Sequence, residues 1–291
     1  MSLFPASASL GGGASSASAP LTSASAASRG AAAARSWDAS LPWQPLALRS
    51  GGVPKGRWGH SLTQVQDRFL VIFGGLQGAE TLNDVWIYDL EEARWARPHV
   101  RGEPPEPRWG HTATLVAPTV LLMLGGRVGT KPIPLADYWL LDLRRLAWSR
   151  HATLTPSPKG RYAHAAVWLG ARGSPHTLVF GGHGGRSRYY NDANVLQLPS
   201  AEAPCEAAWM TPVLSGPPPR KRSGHTMTLI GERAFIIGGY DGVDILSDIT
   251  ILNTRSWTWS APRLAGSGIP PLVGHSAEAV SDSESQVRAW G

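Results

Sequence analysis

At 291 residues, with 33 glycines, 24 prolines and 16% charged residues, the chain is long enough for a sizeable core and too rich in turn formers for a helical bundle. Its apolar runs stop far short of the roughly 20 residues that cross a bilayer as a helix, and the one cysteine, Cys205, excludes an intramolecular disulfide framework and a cysteine-rich zinc site. The formal charge of +6 comes from scattered residues, with no basic helix or RNA-binding aromatic signature, so charge does not point to nucleic acid.

Residues 1–36 are mostly Ala, Ser and Gly, with Arg29 and Arg35 and no acidic residue before Asp38. Such a stretch buries too little apolar area to fold alone and reads as a low-complexity disordered tail. Its serine-bearing, acid-free character also fits an organellar targeting segment. The remainder, 37–291, reads as one repetitive domain. In "LPWQPLAL", Trp43 stands 17 residues before His60 and reads as a final strand whose sheet partners lie elsewhere.

From residue 54 the chain repeats itself. The tetrapeptide from Arg57 to His60, "RWGH", returns from Arg108 to His111, and looser copies end at His164, His225 and His275, in steps of 51, 53, 61 and 50 residues. Behind each of the first four comes an apolar run that ends in a glycine pair, closing at Gly75, Gly126, Gly182 and Gly239. An aspartate then leads a further apolar run, at Asp84, Asp137, Asp192 and Asp248. Each unit closes on a tryptophan, at Trp95, Trp148, Trp209 and Trp259, always 16 residues ahead of the next histidine. Four short β-patterned runs per unit, separated by Gly, Pro and Asn/Asp turns, describe a four-stranded antiparallel sheet repeated radially. Runs that are apolar almost throughout, instead of alternating, imply sheets buried on both faces by their neighbours. Gly274 and His275 start a fifth unit, which stops at Gly291 where the next glycine pair is due. The reading is therefore an orphan strand at Trp43, four complete blades and a partial fifth, an incomplete ring cut inside a blade.

These residues resemble the kelch-repeat pattern from Leu41 to the end of the chain. The resemblance implies an all-β, kelch-type β-propeller that works as a protein-interaction module, a scaffold or adaptor without a cofactor. Some kelch propellers are enzymes, but their sites are not matched: Cys205 stands apart from any tyrosine and histidine constellation like that of galactose oxidase. The iron-binding Glu-x-x-x-Asp-x-x-x-His run of nitrile-specifier proteins meets Glu80 and Asp84 here and then fails at Tyr88. No nucleophile elbow, phosphate-binding loop or zinc-binding helix motif occurs. The five recurring histidines sit one per blade, too dispersed to share one metal ion. The expectation is a chain that is not an enzyme, with the alternative that it is the propeller half of a larger protein, such as a kelch-bearing serine/threonine phosphatase or an acyl-CoA-binding kelch protein.

Two readings stand for Arg57, Arg108, Arg161 and Arg222, which precede their histidines by three. Each is either a structural guanidinium tying one loop to the next strand or part of a ring of charge facing a ligand, since arginines on this face of kelch substrate adaptors contact acidic peptides. The loops after the glycine pairs differ between units, and variable loops on a rigid scaffold are where recognition resides. They offer Arg127, Lys131, Arg186, Arg188, Tyr189, Tyr190 and Tyr240 as candidate protein-binding residues, of types enriched at interface hot spots. The expected partner is a protein with an acidic or phosphorylated segment, met in the cytoplasm, or in an organelle if residues 1–36 are a targeting segment; neither membrane nor nucleic acid is expected.

Overall fold

A computed structural model describes residues 52–129, 134–170, 175–199, 206–263, 268–281 and 286–290. The expectations for residues 1–36, for the strand at Trp43 and for Cys205 lie outside the described residues. Those described contain no α-helix, and no helix is long and apolar enough to cross a membrane.

Four antiparallel four-stranded sheets follow one another in the chain. The first comprises β1 (Ser61–Val65), β2 (Phe69–Gln77), β3 (Glu80–Asp89) and β4 (Arg94–Ala96), paired in that order. The second comprises β5 (Thr112–Ala117), β6 (Val120–Leu124), β7 (Tyr138–Asp142) and β8 (Ala147–Arg150). The third has β9 (Ala165–Trp168), β10 (His176–Phe180), β11 (Ala193–Gln197) and β12 (Ala208–Met210), and the fourth β13 (Thr226–Ile230), β14 (Arg233–Ile237), β15 (Ile249–Asn253) and β16 (Thr258–Ser260). A hairpin of β17 (Ser276–Ser281) and β18 (Gln286–Trp290) begins a fifth. This is the blade succession of a kelch-type β-propeller, with the unit boundaries the repeat predicts.

The second strand of each blade is deeply buried, and that of the third blade is covered by a neighbouring blade on each side. Leu178 and Phe180 of β10 join Met227, Ile236, Leu252 and Trp259 of the next blade in one apolar cluster. Leu122 and Leu124 of β6 meet Val179, Leu196 and Trp209 in the same way. Trp148 packs on Phe73 of the blade before it at 5.0 Å, and Trp259 on Phe180 at 5.3 Å. Trp95 differs from these, since it lies half-buried on Tyr88 of its own blade at 5.0 Å.

Backbone contacts between blades explain the glycines. The first of each pair lies close under the next blade: a Cβ on Gly74 would stand 2.6 Å from the Arg108 carbonyl oxygen, and one on Gly238 2.5 Å from that of Leu272. The second has φ near 100°, a region closed to other residues, and its N–H donates to that same carbonyl, as Gly75 does to Arg108 at 2.9 Å and Gly126 to Arg161 at 2.9 Å.

A second ladder runs through the residue before each histidine. Gly110 N–H donates to the Gly59 carbonyl, Ala163 to Gly110, Gly224 to Ala163 and Gly274 to Gly224, all at 2.7 to 2.8 Å. All five residues adopt the left-handed conformation, with φ between 52° and 68°. Ala163 alone does so with a Cβ, which costs about 1–2 kcal/mol. Ala163→Gly is therefore expected to stabilise the protein by up to about 1 kcal/mol after the unfolded-state entropy of glycine is subtracted, and Gly110→Ala to destabilise it by at least as much. Urea unfolding of the two variants checks this; a less stable Ala163→Gly protein would contradict the assigned strain.

Candidate functional site

In an antiparallel blade, the loop that leads into the first strand and the loop after the glycine pair emerge on the same face. Backbone bridges join them: Trp58 pairs with Leu76, Trp109 with Arg127, Tyr162 with His183 and Ser223 with Tyr240. Each blade thus presents two adjacent residues on this face.

Beneath them lies a repeated ion pair. Arg108 Nη1 and Nη2 donate to Asp137 Oδ1 and Oδ2 at 2.8 and 2.9 Å, Nη1 also to the Gly125 carbonyl and Nε to that of Glu106. Arg161 binds Asp192 and Gly181, and Arg222 binds Asp248 and Gly238, with the same geometry; Arg57 binds Asp84 and Gly74. The Arg108 and Arg222 side chains are wholly buried. Burial pushes up the carboxyls of Asp84, Asp137, Asp192 and Asp248, but the guanidinium hydrogen bonds and charge pull them further down, so all four lie below the usual aspartate range. The structure thereby decides between the two readings of these arginines: they tie a loop to the strand that follows and are closed to a partner.

The histidines form a third inter-blade contact. His111 Nε2 meets Ser61 Oγ of the preceding blade at 3.0 Å, His164 meets Thr112 at 3.0 Å and His275 meets Thr226 at 3.1 Å. At the fourth blade the hydroxyl position holds Ala165, and neither ring nitrogen of His225 has a hydrogen-bond partner among the described residues, although the Phe180 carbonyl acts to raise its pKa. Burial, reinforced by the nearby arginines, pushes His111 and His225 down to about 3 and His164 well below its ordinary value. Among the described residues, no three His, Cys, Asp or Glu side chains gather as a metal site requires.

The seven candidate residues divide unequally. Arg127 lies over the rings of Trp109 and Tyr162, 5.7 and 5.4 Å from their centroids, and its Nη1 reaches the Tyr162 hydroxyl at 3.4 Å. Lys131 lies outside the described residues. Arg186 and Arg188 flank the tip of a tight hairpin closed by Arg188 N–H donating to Gly185 O at 3.0 Å and Gly184 N–H to Arg188 O at 2.7 Å. Arg186 and Ser187 both hold positive φ there, 47° and 60°, and the two arginines are exposed without an ion-pair partner among the described residues. Tyr189 packs edge-on against His183 at 4.5 Å and Tyr240 at 5.7 Å, with Lys221 Nζ 6.0 Å from its centroid. Tyr190 turns the other way: Arg161 stands 4.6 Å over its ring, and its carbonyl accepts from Arg222 N–H, so it belongs to the scaffold.

Sequence reasoning missed Trp58, Trp109, Tyr162, His183 and Lys221. With Tyr189 and Tyr240, their rings form one file: Trp58, Trp109, Tyr162, His183, Tyr189 and Tyr240 touch in succession at 4.9, 5.0, 4.9, 4.5 and 5.7 Å. The available signal was that the residue after each repeated arginine is Trp, Trp, Tyr and Ser in successive units, varying beside an arginine that does not.

Residues 35–173 and 110–285 match the family model described as the KLHDC2/KLHL20/DRC7 Kelch-repeats domain. Among curated proteins, the chain is 32% identical over 202 residues to "Acyl-CoA-binding domain-containing protein 4" of Arabidopsis thaliana, covering 69% of this chain and 28% of that protein. It is 24% identical over 318 residues to "Rho GTPase-activating protein gacHH" of Dictyostelium discoideum, covering 79% and 21%, and 27% identical over 266 residues to "Host cell factor 1" of Homo sapiens, covering 85% and 12%. The chain thus matches less than a third of the length of these relatives.

Two outcomes follow from the histidines. An unfolded imidazole titrates near 6.5, so below that pH the unfolded chain takes up protons that buried His111, His164 and His225 refuse. Stability is full above pH 6.5 and falls as pH drops toward 3, by up to about 1.4 kcal/mol per pH unit for each such histidine. Urea unfolding at pH 7, 6 and 5 is expected to show this decline before the aspartates titrate; a flat profile would refute it. Supplying the missing hydroxyl by Ala165→Ser is expected to raise stability by about 0.5–1.5 kcal/mol, measured the same way at pH 7.

Proposed function

Because the chain belongs to the kelch-repeat family, we propose that its blades form a docking module that holds an acidic or phosphorylated segment of a partner protein on the loop face. The observation that carries this is the hairpin tip of the third blade. Arg186 and Arg188 stand exposed and unpaired among the described residues, whereas the repeated arginines beneath are all consumed by aspartates. Backbone strain at Arg186 and Ser187 holds the tip in a fixed geometry, and such strain is concentrated where recognition occurs. Arg127 and Lys221 add positive charge on the neighbouring blades, and Tyr189 and Tyr240 add ring surface for apolar anchoring. Lys131, in the same loop as Arg127, is assigned to the same task. In this reading the module needs no cofactor and performs no chemistry, and the single Cys205 suits a reducing compartment, the cytoplasm.

The lengths of the relatives favour a second reading, in which the module serves a longer protein whose other part acts on what the blades capture. Two relatives are named for acyl-CoA binding and for Rho GTPase activation, and the match covers 28% and 21% of their lengths.

The test is fluorescence anisotropy of a glutamate-rich peptide and its phosphoserine counterpart with the full chain. Exposed pairs contribute roughly 0.2–1 kcal/mol each, so Arg186→Ala with Arg188→Ala is expected to weaken binding roughly 2- to 30-fold at an unchanged melting temperature. Because exposed charges are screened over about 8 Å at physiological ionic strength, affinity is expected to fall as salt rises. Equal affinity of both proteins at every salt concentration would place the binding face elsewhere.

A further inference from the structure

The ring file has a shape and a hydrogen-bonding character that select among acidic segments. Its neighbouring rings meet at 57°, 67°, 56°, 87° and 85°, so no two are parallel. A flat base laid on one ring meets the edge of the next, which disfavours the stacking by which single-stranded nucleic acid is held. Tilted rings instead leave notches suited to a puckered or branched aliphatic group, the one between Trp109 and Tyr162 being covered by Arg127. These notches recur at the ring spacing of about 5 Å, and a polyproline II helix, with three residues per turn and a rise of 3.1 Å, returns a side chain to the same face every ~9 Å, close to every second notch.

The polar groups along the file point the same way. The indole N–H of Trp58, whose residue is 55% exposed, and the hydroxyls of Tyr189 and Tyr240 have no hydrogen-bond partner among the described residues. The nearby Lys221, Arg186 and Arg188 can only donate. The face thus offers several unengaged donors, while the nearby carboxylates of Asp241 and Asp244 are engaged by Arg220. Proline has a carbonyl and no N–H, and a polyproline II backbone leaves its carbonyls unpaired, so a proline-rich strand needs what this face supplies. The strand is also ordered before it binds, which lowers the entropy lost on docking. We propose that the segment held here is a proline-rich acidic strand in the polyproline II conformation, its prolines seated in the notches from Trp58 to Tyr240, its carbonyls accepting from Trp58, Tyr189 and Tyr240, and its carboxylates facing Arg186, Arg188 and Lys221. This rests on the acidic-segment reading above and adds the conformation and the residue type.

The experiment uses the full chain and three fluorescent probes: a peptide alternating proline and glutamate, the same peptide with every proline replaced by alanine, and an oligothymidylate of equal charge. The proline peptide is expected to bind about tenfold or more tightly than the alanine peptide, a difference of about 1.4 kcal/mol. Trp58→Ala is expected to abolish most of that preference, and Tyr189→Phe with Tyr240→Phe to weaken the proline peptide several-fold, both at unchanged melting temperature because these groups are exposed or unpaired. Equal binding of the two peptides would overturn this inference while leaving the acidic-segment reading in place. Binding of neither peptide would overturn both, and tighter binding of the oligothymidylate would assign the face to nucleic acid.

Discussion

A buried guanidinium cannot stay unpaired, and this fold answers that constraint identically four times. Each repeated arginine is enclosed by an aspartate, the carbonyl of the first glycine of the pair and a carbonyl two residues back in its own loop. Its charge is thereby converted into a fixed distance between the loop before the first strand and the start of the third. Removing the aspartate would leave the wholly buried guanidinium of Arg108 or Arg222 charged and without its carboxylate, at a cost of about 3–5 kcal/mol. The backbone geometry does not itself need the ion pair, however. In the fifth unit Leu272 replaces the arginine, yet its N–H still donates to Leu246 and its carbonyl still accepts from Gly239. The ion pair fixes a loop on a frame that backbone hydrogen bonds already define.

Much of this frame was legible from spacing, and for a physical reason. Residues that touch their counterparts in the next blade must recur, since every blade meets the next through the same surface. The glycine pairs, the histidines and Trp148, Trp209 and Trp259 are all such residues, whereas the leading aspartates recur because each closes the same ion pair within its own blade. Trp95 recurs in sequence yet lacks the contact across blades, because among the described residues nothing precedes its blade. Spacing also said nothing of the strain at Ala163, where an alanine occupies a position that its four counterparts give to glycine.

The binding face was less legible because adjacent residues on extended chain point in opposite directions. Arg57 is buried on Asp84 while Trp58, next to it, is exposed. Tyr189 joins the ring file while Tyr190 sits under Arg161 in the scaffold. A doublet such as Tyr189 and Tyr190 reads as one sticky patch in sequence and serves two separate tasks in the fold. The residues that vary between blades gain their meaning only when the bridges set them side by side.

The ladder from Gly59 to Gly274 carries one residue per blade, and from each closing tryptophan to the next ladder residue the chain length never changes. Length differences must therefore fall elsewhere. The 61-residue step of the third unit agrees with this, since more sequence separates β9 from β10 and β11 from β12 than separates the equivalent strands of the second blade. Those two connections are permissive ground: a lineage can lengthen them, or an engineer can graft a tag or a reporter domain into them, without altering the register of the strands they join.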